Sequence, residues 1–147
     1  MNLLMKTLGI GLGLALGLSV AVAQEAEATN PVVIERQALM KTIGKNTKVL
    51  GDMAGGKTAF DAASAGAAQV ALAAAAEKIP AVFKANETDP ESEAKPEIWS
   101  NWEDYLIKAA ALPPAVAALD ATTLEGLQAG MKGVGDACGS CHKLYRE

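Results

Sequence analysis

Along most of the chain, apolar and polar positions recur at helical spacing, and no stretch alternates with the period of two that a half-buried strand requires. Four helices follow from this pattern. The first opens at Asn30-Pro31, an N-cap residue followed by proline at the first helical position, and runs to about Leu50. Gly51 to Lys57, with its Gly-Gly pair, reads as a loop. The second helix spans about Thr58 to Ile79, is dominated by alanine and stops before Pro80. Ala85 to Lys95 is polar, contains Pro90 and is followed by Pro96, which makes it an exposed connection. The third helix starts near Pro96-Glu97-Ile98-Trp99 and runs towards Leu112, where Pro113-Pro114 break it before a short resumption over Ala115 to Leu119. The fourth opens at Thr122 or Thr123, with Glu125 set for a capping box, and continues to Tyr145.

Four helices with mostly short connections imply an all-α, antiparallel four-helix bundle. There is no internal repeat. The alanine-rich faces let helices approach closely but supply little bulky side chain, a deficit that a large apolar cofactor in the core would fill. The first residues stand apart from this pattern. Lys6 precedes an apolar, glycine-rich run from Leu8 to Leu18, and Ala21-Val22-Ala23 leads into polar sequence at Gln24. That order is a secretory signal peptide over residues 1–23 with an A-x-A cleavage site, leaving one domain over 24–147. As a membrane anchor the run is short, because a spanning helix needs roughly 18 to 20 apolar residues.

Charge narrows the partners. The chain carries a formal −4, and loss of Lys6 with the signal leaves about −5. An acidic chain with no basic tract and no aromatic array argues against nucleic acid and favours basic partners.

Cys138-Gly139-Ser140-Cys141-His142 is the C-x-x-C-H haem-attachment motif. Each thiol adds across a haem vinyl group, and the adjacent imidazole ligates the iron. On a helix these three residues are related as i, i+3 and i+4 and share one face. Export agrees, because c-type haem is attached outside the cytoplasm. The competing chemistries fit poorly. A thioredoxin-like site belongs beside a βαβ pattern, and a closed zinc site needs four ligands where this chain has two cysteines and one histidine. A disulfide across two residues closes too short a loop to gain much.

The motif lies within ten residues of the C-terminal end of the sequence. A helical bundle with the motif in that position resembles the class II c-type cytochromes, which comprise the cytochromes c′ and low-spin relatives such as cytochrome c-556. Arg36-Gln37-Ala38-Leu39-Met40-Lys41, Pro96-Glu97-Ile98-Trp99 and Tyr145-Arg146 carry the resemblance across the rest of the chain. It implies one covalent haem c, a periplasmic location, Met40 over the distal side of the iron, and Arg36 and Gln37 near the propionates. Arg36 and Met40 are four apart and share a helix face, as that geometry needs.

His142 is the only histidine, so bis-histidine ligation within a monomer is excluded. Met131 is eleven residues before His142 on the same helix, roughly 16 Å along its axis, and Met53 lies at the glycine loop. Met40 is the remaining candidate for a sixth ligand. If its sulfur binds the iron, the protein is a low-spin electron carrier working with redox partner proteins. If it only packs there, the resemblance implies a five-coordinate cytochrome c′ that binds NO or CO. The carrier is the preferred reading, from the likeness of Met40 to Asn46 and Val49 to Gly51 to the low-spin branch. The absence of a second histidine argues against a peroxidase, and no enzymatic activity is expected. Both monomer and homodimer occur in the family.

Three further features stand out. Trp99 and Trp102 are three apart and share a face, for core packing or contact with the haem edge. Gly130, Gly133 and Gly135 cost the last helix roughly 1 kcal/mol each relative to alanine, in exchange for close approach or a kink. Arg146 falls near the proximal side or in a frayed end, and Lys41, Lys45 and Lys48 form a solvated face or a docking patch.

Overall fold

The computed structural model describes residues 27–147, and the named elements among them are all helices. The expected signal peptide and its cleavage site lie outside the described residues. The elements are α1 (Pro31–Ala54), α2 (Ala62–Ala76), α3 (Ile79–Val82), α4 (Glu97–Ser100), α5 (Trp102–Ala109), α6 (Leu112–Ala117) and α7 (Leu124–Tyr145). They form a four-helix bundle whose arms are α1, α2 extended by α3, the broken series α4–α5–α6, and α7. Helix α1 packs on α2 and α7, while α6 packs on both α2 and α7.

The start of α1 follows its sequence signals. Asn30 Oδ1 accepts from the Val32 and Val33 amides at 2.9 and 3.4 Å, and Pro31 occupies the first turn. Its end does not. The helix runs through Gly51 to Ala54 and is capped at Gly55, so Gly51 does not terminate it; a β-carbon there would make only an ordinary contact, 3.7 Å, with Met131 Cε. The chain turns at Gly56, whose φ of +70° is one that side chains rarely adopt.

The other departures from expectation come from prolines and caps. Helix α2 begins at Ala62, where Asp61 caps it by accepting from the Ser64 amide at 2.7 Å. It stops at Ala76, and Pro80 then sits in the first turn of α3 instead of ending a longer helix. Pro113 and Pro114 likewise lie in the first turn of α6, where a missing N–H costs nothing, so they start a helix rather than break one. The expected third helix is divided at Asn101 (φ −122°, ψ 43°), which removes the shared face of Trp99 and Trp102. At α7 the cap is Thr123, whose hydroxyl accepts from the Gly126 amide at 3.0 Å. Gly126 thus takes the position that a capping-box glutamate needs, and no box forms with Glu125.

The core is built on Val33, Leu50, Leu72, Ile98, Val116, Leu127 and Val134, with Ala65, Ala68, Ala75 and Ala76 providing close contact along α2. Each large member stabilises the fold by roughly 1.5–3 kcal/mol. Gly130 allows the turn before α7 to lie against the helix, since a β-carbon there would come within 2.5 Å of Leu119 Cδ2 and 3.2 Å of its Cα. Gly133 and Gly135 face open space.

The connection between α3 and α4 joins both ends of the fold. Asp89 accepts from the Thr29 and Asn30 amides at 2.9 Å each, tying the connection to the start of α1. Ala94 bridges Arg146 in antiparallel fashion, with Lys95 N donating to Tyr145 O and Glu147 N to Glu93 O, both at 3.0 Å. Arg146 pairs with Glu93 at 2.7 Å. The end of α7 is therefore pinned, not frayed.

Candidate functional site

A cavity of about 1380 Å³ opens between α1 from Val33 to Gly51, α7 from Met131 to Tyr145 and the α3–α4 connection. That exceeds the roughly 300–1,000 Å³ typical of small-ligand sites. Cys138, Cys141 and His142 line it from α7, and Arg36, Gln37 and Met40 line it from α1. All six residues singled out in the sequence thus meet at one site. The inner wall is apolar, with Val33, Ile43, Phe83, Ile98 and Leu112 among its members.

Burial sets the chemistry of the α7 residues. Cys138 and Cys141 are free thiols, and desolvation pushes both above the usual thiol range; at Cys141 the neighbouring Cys138 and Asp104 push it further. The shift favours the thiol form, as suits addition of S–H across a double bond. His142 is lowered, first by desolvation and then by the Arg146 charge. A neutral imidazole keeps the lone pair that a metal needs. Among the described residues no cluster of histidine, cysteine and carboxylate groups could hold a free metal ion.

Arg36 is the only charged residue in the buried class among the described residues, 3 % exposed. Its guanidinium donates to the carbonyls of Glu87, at 2.7 Å, and Ala85, and lies 4.8 Å over the Trp99 ring and 5.4 Å over Phe83. Desolvation lowers its pKa, yet a guanidinium stays charged. It forms no ion pair with a described carboxylate, and its Nε is buried without a partner. A buried cation lacking an anion costs several kcal/mol, so this wall is incomplete without one. Haem, with an apolar macrocycle and carboxylate-bearing propionates, fits the residues present. Gln37 gives its amide nitrogen to Glu91 O at 2.8 Å, so it too holds the connection.

The remaining methionines separate clearly. Met131 also lines the cavity, at the Gly51 end, whereas Met53 is buried in the core. Neither tryptophan lines the cavity. Trp99 donates to Phe83 O at 2.9 Å beneath Arg36, and Trp102 stacks on Tyr105. Of the lysines, Lys41 and Lys48 reach the rim and Lys48 pairs with Asp52.

Sequence reasoning missed several residues of the site. Tyr105 and Tyr145 both line the cavity, and Tyr145 donates to Asp104 at 2.6 Å. Thr47 Oγ1 is buried and unpartnered on the same wall. Pro90 to Ala94 supplies a wall as well, although its outer side is largely solvent-exposed. Isolated aromatics and a polar connection carry no local signal for this; only the fold brings them together.

Comparison with known proteins gives a consistent result. A profile of the family described as Cytochrome C' matches residues 31–146. The chain is 36 % identical over 131 residues to cytochrome c-554 of Cereibacter sphaeroides, covering 84 % of this chain and 86 % of that one. It is also 36 % identical over 117 residues to cytochrome c-556 of Agrobacterium fabrum, covering 78 % and 80 %. A solved cytochrome c' from "Rhodobacter Spheriodes" superposes with a TM-score of 0.73 at 30 % identity, covering 78 % of this chain and 94 % of that one.

Proposed function

This chain belongs to the cytochrome c′ family of class II c-type cytochromes, which carry covalent haem c, and we propose that it is a periplasmic electron carrier whose iron is held by His142 and Met40. The observation that carries the reading is that Met40, on α1, and His142, on α7, line one cavity from two helices packed against each other. The similarity to proteins named cytochrome c-554 and c-556 supports the same branch.

Bound haem supplies a one-electron couple. Around it, the chain's own groups set the conditions. Cys138 and Cys141 would fix the group to α7, and neutral His142 would offer its lone pair to the iron. Met40 would offer its sulfur as a second protein donor to the iron, and methionine ligation raises the reduction potential. The apolar wall would limit water, and Arg36, whose Nε has no partner, would pair with the propionates, with Gln37 beside it. The signal-like residues 1–23 support export, and among the described residues no helix is long and apolar enough to cross a membrane. The partners on this reading are redox proteins with basic faces, and the protein is a carrier rather than an enzyme.

The second reading is a five-coordinate cytochrome c′ in which Met40 packs beside an open iron that takes NO or CO. It is favoured by the bundle shared with a cytochrome c prime from Alcaligenes xylosoxidans known as a nitric oxide complex. An optical spectrum of the holoprotein, oxidised and reduced, with and without carbon monoxide, tests both. Sharp split α and β bands, unchanged by the gas, are expected for the carrier. A broad high-spin spectrum that shifts with the gas would replace it with the second reading.

A further inference from the structure

Tyr105 and Tyr145 sit on the cavity wall that Cys141 and His142 also line, and electron carriage as described gives them no task. Their rings meet edge-on, with centroids 5.3 Å apart and planes at 86°. Tyr105 in turn stacks on Trp102, with centroids 5.3 Å apart and planes at 20°. Trp102 is half-buried and reaches solvent. A continuous line of aromatic rings thus runs from the cavity to the surface. The phenol of Tyr145 has a ready proton acceptor in Asp104, 2.6 Å away. A second branch runs from Tyr105 to Phe83 at 5.7 Å, but Arg36 lies over Phe83 and Trp99. A fixed cation there opposes any further positive charge on those two rings.

We propose that Tyr145, Tyr105 and Trp102 form a route by which oxidising equivalents leave an over-oxidised haem and end at Trp102. The inference goes beyond electron carriage. It requires haem at Cys138, Cys141 and His142 but not ligation by Met40. The oxidant is a peroxide: hydrogen peroxide takes up two electrons and two protons to become two waters, which leaves the haem group short of electrons. Tyr145 supplies one electron and passes its phenolic proton to Asp104, leaving a neutral tyrosyl radical and a protonated carboxyl. An electron from Trp102, carried through the Tyr105 ring, refills Tyr145 as the proton returns from Asp104. Trp102 releases its indole proton to water, so each transfer sends one electron to the haem. A second transfer returns the other electron, and Trp102, two electrons short, takes its added oxygen from water with loss of two protons in all. Tryptophan and hydrogen peroxide thus become oxygenated tryptophan and water.

The test treats holoprotein carrying Met40→Ala, whose iron is open to peroxide on either functional reading, with hydrogen peroxide. Radicals are followed by freeze-quench electron paramagnetic resonance and oxygen addition by peptide mass spectrometry. The expected result is an aromatic radical, with oxygen added at Trp102 and not at Trp99. Tyr145→Phe and Asp104→Asn, both of which keep the ring stack, are expected to lower Trp102 oxidation several-fold and to speed bleaching of the haem. Equal oxidation of the two tryptophans, or unchanged Trp102 oxidation in both variants, would overturn the proposal. Haem content before treatment, read from the reduced pyridine complex, separates this failure from failure of haem attachment.

Discussion

Replacing Arg36 with leucine probes the cavity wall at its most costly point. The guanidinium is 3 % exposed, holds two connection carbonyls and lies over two aromatic rings. Ala85 and Glu87 are exposed residues, so water can take over part of what their carbonyls lose, and each bond contributes about 1 kcal/mol rather than the full charged value. The cation–π contact on Trp99 contributes about 1–2 kcal/mol more when desolvated. In the holoprotein the proposed propionate pairing would add a charged hydrogen bond of about 1.5–3 kcal/mol. Leucine regains some apolar packing, so the expected net loss is about 3 kcal/mol for Arg36→Leu. Urea unfolding of the holoprotein, followed by circular dichroism, measures it, and a potentiometric titration of the same sample should show a lower midpoint because a positive charge has left the haem surroundings. Arg36→Lys keeps the charge without the fork and is expected to recover the potential better than the stability. An Arg36→Leu holoprotein within about 0.5 kcal/mol of the parent and with an unshifted midpoint would refute the assignment of Arg36 as the propionate partner and the fastener of the connection.

Other outcomes follow from the same geometry. Met40→Ala should convert a low-spin spectrum to a high-spin one that responds to carbon monoxide; a spectrum identical to the parent would mean that Met40 is not a ligand. Gly130→Ala should destabilise by about 1–3 kcal/mol, because the new methyl meets Leu119 side chain and backbone. Gly133→Ala, in open space, should stabilise by about 0.5–1 kcal/mol, and urea midpoints that fail to move in opposite directions would contradict the packing described for α7. The Glu91, Asn30 and Thr29 backbone amides hold the Asp89 carboxyl at about 2, below its ordinary value. Its contribution is therefore fully present above about pH 4 and is lost as the pH falls towards 2. Asp89→Ala should show a shallower loss of stability across that window in an acid titration, and an unchanged slope would count against the bonds to Thr29 and Asn30.

What could be read from the sequence was local. The i, i+3, i+4 relation of Cys138, Cys141 and His142 needs only a helix, and the Asn30-Pro31 start needs only its own first turn. Reading failed where a distant partner decides the outcome. Gly51 looks like a terminator, yet α1 continues through it to Ala54 and packs along its length on α2 and α7. Pro80, Pro113 and Pro114 look like breaks, yet proline is as compatible with a first turn as with an end, and local pattern does not choose between them. Arg36 was placed towards a cofactor by likeness, but its carbonyl partners in the connection and its two aromatic neighbours are non-local. Tyr105 offered no pattern, and Tyr145 entered only by likeness, beside Arg146 and without its partner forty residues earlier.

The connection from Ala85 to Lys95 has one consequence for retention of the cofactor. It fastens the beginning of α1 through Asp89 and the end of α7 through Glu93 and Lys95, while also forming one side of the cavity. Local unfolding of this segment would therefore loosen both helix ends together and open the cavity. In a protein that holds its haem by coordination alone, such an opening is a chance for the group to escape. With haem attached through Cys138 and Cys141 as proposed, the thioether bonds would belong to α7, so an opened molecule would keep its haem on a tether a few bonds long and could close again around the same group. Covalent attachment thus makes opening reversible, and lets the cavity be walled partly by a polar strap instead of a continuous core.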